Sequence, residues 1–257
     1  MNNDRTLRDL KGIARGQLIG RYGVAIPAVL LIAAIQFVVI LMSEGGSPAG
    51  SVSAYLLRYA ISLIIDLLTG ILFYGRAYFF LKAARCSAEL SVKDVFTGFK
   101  SNMDKAIILQ APFTALAFLC TLPVVLMNLG LIPSPFVNFR FTLILMNLIQ
   151  VVVILVADLY LGLSFYILAD SPDMDALSAL KESVRLMEGR KLKLAIMCLS
   201  LIPLMIGAAM GLMIGLLWFD AFFRTLMADF YLDAKGEELK IPGKDPSTTL
   251  RSAQDDM

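Results

Sequence analysis

FTLILMNLIQVVVILVADLYLGLSFYILA (Phe141–Ala169), running directly into DSPDMDALSALKESVRLMEGRKLK (Asp170–Lys193), decides how this chain folds. The first part holds 29 residues and a single charge, Asp158. A helix needs about 20 predominantly apolar residues to cross the hydrocarbon core of a bilayer, so the run reads as a membrane span. The second part carries Lys181, Arg185, Arg190, Lys191 and Lys193, and Lys and Arg concentrate on the cytoplasmic side of spans. The alternation recurs along the whole chain. Of 23 Lys and Arg residues, 19 lie in four segments: Arg5 to Arg21, Lys82 to Lys105, Lys181 to Lys193 and Lys235 to Arg251. The intervening connections 43–54 and 207–215 contain neither residue, and 129–140 contains only Arg140.

That distribution predicts an all-α, polytopic integral membrane helix bundle with both termini in the cytoplasm. Composition agrees: 58% of residues are hydrophobic and mean hydropathy is +0.75, against about 45–50% apolar residues in soluble domains. Six transmembrane helices are expected at about 23–42, 55–81, 106–128, 141–169, 192–209 and 213–232, within a single membrane domain covering 1–235. The first run reads as a retained span rather than a cleaved signal. Residues 236–257, rich in Pro, Gly, Ser, Thr and charge, read as a disordered cytoplasmic tail. Residues 192–232 admit a second parse. Gly207, Gly211 and Gly215 recur every fourth residue, so one span to Leu217 followed by a helix on the outer surface is the alternative to two spans.

Three cytoplasmic segments have helical amphipathic spacing and are expected to lie in the membrane interface, at about 5–20, 90–101 and 173–188. In the first, Leu7, Leu10, Ala14 and Leu18 form a stripe, with Arg8, Lys11 and Arg15 away from it. The second has Val92, Val95, Phe96 and Phe99. The third has Met174, Leu177, Leu180, Val184 and Met187, with Lys181 and Arg185 opposite; Ser171 is its expected N-cap, Pro172 its first residue and Gly189 its C-cap. The apolar stripes are expected to face lipid tails. Arg8, Lys11, Arg15, Lys181, Arg185, Arg190 and Lys191 are the candidates for contact with anionic headgroups.

Histidine is absent, which excludes Ser-His-Asp and Cys-His catalysis, H-E-x-x-H zinc sites and histidine proton relays. No phosphate-binding G-x-x-x-x-G-K-[ST] loop is present. Cys86, Cys120 and Cys198 stand apart without metal or redox spacing and read as reduced packing residues. No cofactor and no nucleic-acid partner is expected.

Residues 165–191 follow the pattern Y-x-L-A-D-x-P, then A-x-x-A-[IL]-K-x-S, then M-x-G-[HR]-K. With Leu10-Lys11, Ala14-Arg15 and Leu18, the segments Phe80–Arg85 and Val95–Lys100, and Phe230-Tyr231, the chain resembles a family of bacterial, mainly Gram-positive, polytopic membrane proteins catalogued as a domain of unknown function. One departure is the Asp220-Ala221 pair after Trp218-Phe219, where that family has Pro-Tyr. The resemblance implies a multi-pass protein of the bacterial cytoplasmic membrane and no particular reaction.

Charges within spans are costly and mark candidate sites. These are Asp66 and Arg76 in the second span, Asp158 in the fourth, and Asp220 with Arg224 in the last, where a spacing of four permits a pair. Asp158 and Arg76 are expected at similar depth and able to pair. Three functions remain open. The leading one is a non-enzymatic scaffold, accessory or lipid-interacting module, with a membrane protein as possible partner. The second is a small transporter or channel with a polar path at Asp66, Arg76 and Asp158. The remote third is an intramembrane enzyme, which needs Asp66 and Asp158 close enough to share a proton.

Overall fold

The computed structural model describes residues 5–44, 52–87, 89–133, 139–210 and 214–239, and these contain helices and no strand. In chain order the helices are α1 (Leu7–Leu18), α2 (Tyr22–Glu44), α3 (Val52–Ala84), a 3-10 turn (Val92–Phe96), α4 (Thr97–Lys100), α5 (Met103–Asn128), α6 (Phe139–Leu161), α7 (Ser164–Asp170), α8 (Ala176–Leu186), α9 (Lys191–Leu199), α10 (Ile202–Met210) and α11 (Ile214–Lys235). Among the described residues, four segments are long and apolar enough to cross a membrane: Leu56–Ala84, Met103–Met127, Arg140–Asp170 and Lys191–Met210. Helix α2 makes a fifth if it counts as one span with α1, from which it departs at 98°. The sixth expected span falls on α11, where Asp220, Arg224 and Asp229 interrupt the apolar run; it is not among these segments. Outward faces are apolar. Helix α3 exposes Leu57, Ile61, Ile64 and Leu68, and α6 exposes Ile144, Leu148, Val151, Val152 and Leu155. Stripes of this kind suit hydrocarbon rather than water.

The chain divides into two compact units: 1–32 with 75–97 and 186–257, and 33–74 with 98–185.

In the first unit, a capping box between Thr6 and Asp9 starts α1. Its buried face is Leu10, Ala14, Gln17 and Leu18, packed against α11. This corrects the expectation that the stripe faces lipid tails. The physical reason is Gln17, which lies on the stripe and donates through Nε2 to the Ala84 carbonyl at 2.8 Å; hydrocarbon would leave that amide unpaired. Helix α3 ends in a Schellman motif with the Cys86 N–H on Ala83 O and the Ser87 N–H on Lys82 O. Cys86 holds the left-handed position at φ +55°, so it terminates a helix rather than filling a core. The same motif closes α11 through Gly236 and Glu237. Gly75 of α3 lets the Val95 carbonyl of the 3-10 turn press against its Cα, where a Cβ would collide with it. Gly215 likewise accepts the Ala208 carbonyl, and Pro203, Leu204 and Trp218 line one crevice, so α11 folds back along α10. The four-residue glycine spacing is therefore not carried on one continuous helix, and its middle member, Gly211, lies outside the described residues.

In the second unit, α5 packs on α6 and α7. Phe165 of α7 meets Phe73 of α3 edge-on at 6.1 Å and stacks on Phe113 of α5 at 6.4 Å. Helix α8 departs from expectation in two ways. Ser171 is not its N-cap: Ser171–Met174 forms a turn with Pro172 in second position, and the Leu177 N–H donates to the Asp175 carboxylate at 3.3 Å. Proline suits that turn position, and Asp175 is itself a strong cap one turn later. The buried face is also rotated, to Ala176, Ala179 and Ser183, leaving Leu177 59% exposed. Close approach selects small side chains: the Ser183 hydroxyl donates to the Tyr160 carbonyl at 2.9 Å. Gly189, at φ +75° beyond the helix end, has the conformation of a C-cap glycine. The expected helix at 90–101 is instead a 3-10 turn of the first unit, capped by Ser91 and Asp94, followed by the single turn of α4, where the second unit resumes. Val95 is buried, while Phe96 and Phe99 are exposed.

Of the expected tail, 236–239 is described and the rest lies outside the described residues.

Candidate functional site

The basic residues separate by what their side chains meet. On α1, Arg8 and Arg15 are exposed, whereas Lys11 donates to the Ser200 hydroxyl at 2.7 Å, at the break between α9 and α10. On α8, Lys181 is exposed and Arg185 pairs with Glu182 at 2.9 Å with 75% of its side chain still open. Arg190 is turned inward, donating to the Leu186 carbonyl at 3.3 Å, and Lys191 is half-buried. Arg8, Arg15, Lys181 and Arg185 thus keep charge outward on helices whose other face is covered, the arrangement headgroup contact requires.

A second polar cluster lies inside the first unit, where α1 packs on α11. Asp229 is wholly buried, and neither carboxylate oxygen accepts a hydrogen bond of ordinary geometry. Gln17 lies beside it, with Arg5 and Asp233 within electrostatic reach. Asp233 is satisfied by Lys193 at 2.8 Å, with 6% and 18% of their side chains exposed. Toward the ends of α3 and α11, Arg85 grips Glu237 through three hydrogen bonds of 2.9–3.3 Å, and Lys235 adds a contact of 2.8 Å. Burial pushes the Glu237 carboxyl up, but its hydrogen bonds to Lys235 and Arg85 outweigh this and hold it below the usual glutamate range. Sequence spacing did not mark Asp229. The available signal was Gln17, an amide on an otherwise apolar stripe.

In the second unit, α3 and α5 meet along a polar seam. Thr114 donates to Asp66 at 2.5 Å, Tyr59 and Thr121 share a hydrogen bond of 2.6 Å, and Asn102 donates to Tyr74 at 3.4 Å. Gly70 brings the helices together, because a Cβ there would lie 2.6 Å from that of Gln110. Positions 59 and 66 on one helix match 121 and 114 on the other, each seven apart, which is antiparallel pairing along one face. Asp66 was legible as a lone charge; its partners were not, since threonine is common in membrane helices. Asp158 lies on an exposed face of α6. Arg76 is half-buried and belongs to the first unit, Asp158 to the second. On α11, Arg224 donates to Asp220 at 3.1 Å and stands 5.4 Å over the Phe223 ring.

An all-helical chain with several helices apolar enough to cross a membrane, basic helix faces and a helix-lined polar seam belongs among membrane proteins. The particular family follows from the sequence itself: the chain is a member of the family described as protein of unknown function (DUF975), whose model matches residues 1–238. No curated protein and no solved structure matches it.

Proposed function

We propose that this protein is a non-enzymatic, lipid-interacting module of a bacterial cytoplasmic membrane, acting as a scaffold or accessory subunit, with six crossings and both ends on the cytoplasmic side. The observation that carries the reading is the turn of 98° between α1 and α2, with Arg8 and Arg15 on the uncovered face of α1. If α2 crosses the bilayer, α1 lies along its surface with those guanidiniums at headgroup level. The protein, taken up in nanodiscs of mixed zwitterionic and anionic phospholipid, should enrich the anionic species above its bulk fraction. Arg8→Gln with Arg15→Gln, and Lys181→Gln with Arg185→Gln, should each lower that enrichment. Lipid of bulk composition around the native protein would refute the lipid-interacting reading.

A second reading, a small transporter or channel, draws on the α3–α5 seam, because Tyr59 and Asp66 on α3 and Thr121 and Thr114 on α5 place polar atoms at intervals along two apolar helices. It requires water in the seam. Cysteine placed at Thr114 or Thr121 would then react with a membrane-impermeant thiol reagent; complete protection argues for a sealed structural contact.

A further inference from the structure

We propose that the first unit holds a site for one anionic phospholipid, its acyl chain in the crevice between α2, α10 and α11 and its phosphate at Lys11 and Arg15. The proposal rests on the lipid-interacting reading above and gives it an address. The crevice has a volume of about 430 Å³ and is bounded by Ile26, Pro203, Leu204, Gly207 and Trp218 with almost no polar atom on its walls. Gly207 leaves it open: nothing lies within 4 Å of where its Cβ would stand. One wall is stiff, because Trp218 stacks on Tyr22 at 5.8 Å and on Phe222 at 6.2 Å.

The charge at one end selects the occupant. Lys11 reaches Ser200, immediately before the helix that lines the crevice. Arg15, one turn further along α1, lies within electrostatic reach of Tyr22, the residue stacked on Trp218. Two cations one helical turn apart, beside an apolar slot, match a phosphate carried on a hydrocarbon chain. A zwitterionic lipid would bring a cationic group toward Lys11 and Arg15, and a neutral apolar ligand would leave both unanswered. The slot runs beside α10, whose 9 residues extend roughly 13 Å, so it takes the upper part of an acyl chain rather than a whole lipid.

Trp218 is the only tryptophan of the chain, so its fluorescence reports on this crevice. In nanodiscs of phosphatidylcholine, phosphatidylglycerol with brominated acyl chains should quench Trp218 at an about tenfold lower mole fraction than brominated phosphatidylcholine does. Lys11→Gln with Arg15→Gln should abolish that preference while leaving quenching by phosphatidylcholine unchanged. Gly207→Leu, which fills the crevice, should weaken quenching by both lipids; should that variant not fold, the surface double variant alone decides. Equal quenching by the two lipids at every mole fraction would overturn the site. If anionic lipid is nevertheless enriched in the discs, the lipid-interacting reading stands and only this address falls; bulk lipid composition with no quenching preference overturns both.

Discussion

At the scale of single residues, Asp229 is the most informative position. A carboxylate withdrawn from water, with no hydrogen bond of ordinary geometry and a like charge nearby on Asp233, destabilises the fold by several kcal/mol in its ionised form, which the neighbouring Gln17 and Arg5 offset only in part. Asp229→Asn keeps the shape and removes the charge. It should stabilise the protein by about 1–2 kcal/mol, read as a higher melting temperature in detergent. A lower melting temperature, reproduced by Arg5→Gln, would show instead that an ionised Asp229 is held by Arg5. The sequence places Asp229 five residues beyond Arg224, near the end of a helix, and nothing local distinguishes it from a solvated acid. Its burial depends on α1 packing across α11, a contact between segments over 200 residues apart, which no periodicity within α11 encodes. Cys86 illustrates the same limit: its left-handed φ follows from where α3 ends, and cysteine is not a residue from which that is read.

At the scale of elements, glycine contacts separate positions that look alike in the sequence. Gly75 and Gly207 both sit inside helices. The Val95 carbonyl occupies the place of a Cβ at Gly75, while open space surrounds that of Gly207. Gly75→Ala should therefore destabilise by about 1–3 kcal/mol as the 3-10 turn is pushed off α3. Gly207→Ala should stabilise by about 0.5–1 kcal/mol through helix propensity alone. Equal melting shifts for the two would contradict the packing of the 3-10 turn on α3. The clasp between the ends of α3 and α11 adds a pH dependence. Glu237 is held below its unfolded value, so its contribution is complete above the ordinary glutamate range and is lost as pH falls through the depressed folded value. Melting temperature should decline on acidification through that window, and Glu237→Gln should flatten the decline there. Amphipathic spacing identified α1 and α8 as helices but misjudged what covers them, because a stripe of Leu and Ala suits lipid and protein equally. Only the polar member of each buried face, Gln17 and Ser183, carries the distinction.

At the scale of the whole molecule, the apolar runs were legible because a bilayer imposes length and composition together. Four of the expected spans coincide with segments apolar enough to cross, and α2 supplies a fifth on the stated condition. The sixth is where hydropathy loses its force: α11 exchanges part of its apolar surface for Asp220, Arg224 and Asp229, two of which pair with each other. The proposed sixth crossing rests on charge distribution instead. Lys235 ends α11 and Lys240, Lys244 and Arg251 follow it, and Lys and Arg near the end of a span favour the cytoplasmic side irrespective of nearby acids. Reporter fusions after Gly130 and after residue 239 test this directly. A phosphatase active only after export should be active at Gly130 and inactive at 239, with a cytoplasmically fluorescent reporter giving the reverse. An active phosphatase at 239 would place α11 on the outer surface and reduce the crossings to five. Replacing Lys235, Lys240, Lys244 and Arg251 by Gln should raise phosphatase activity at 239 while leaving Gly130 unchanged, since the charges act on the hairpin they follow; no change at 239 would show that packing of α11 on α1 and α10, rather than charge, holds it in place.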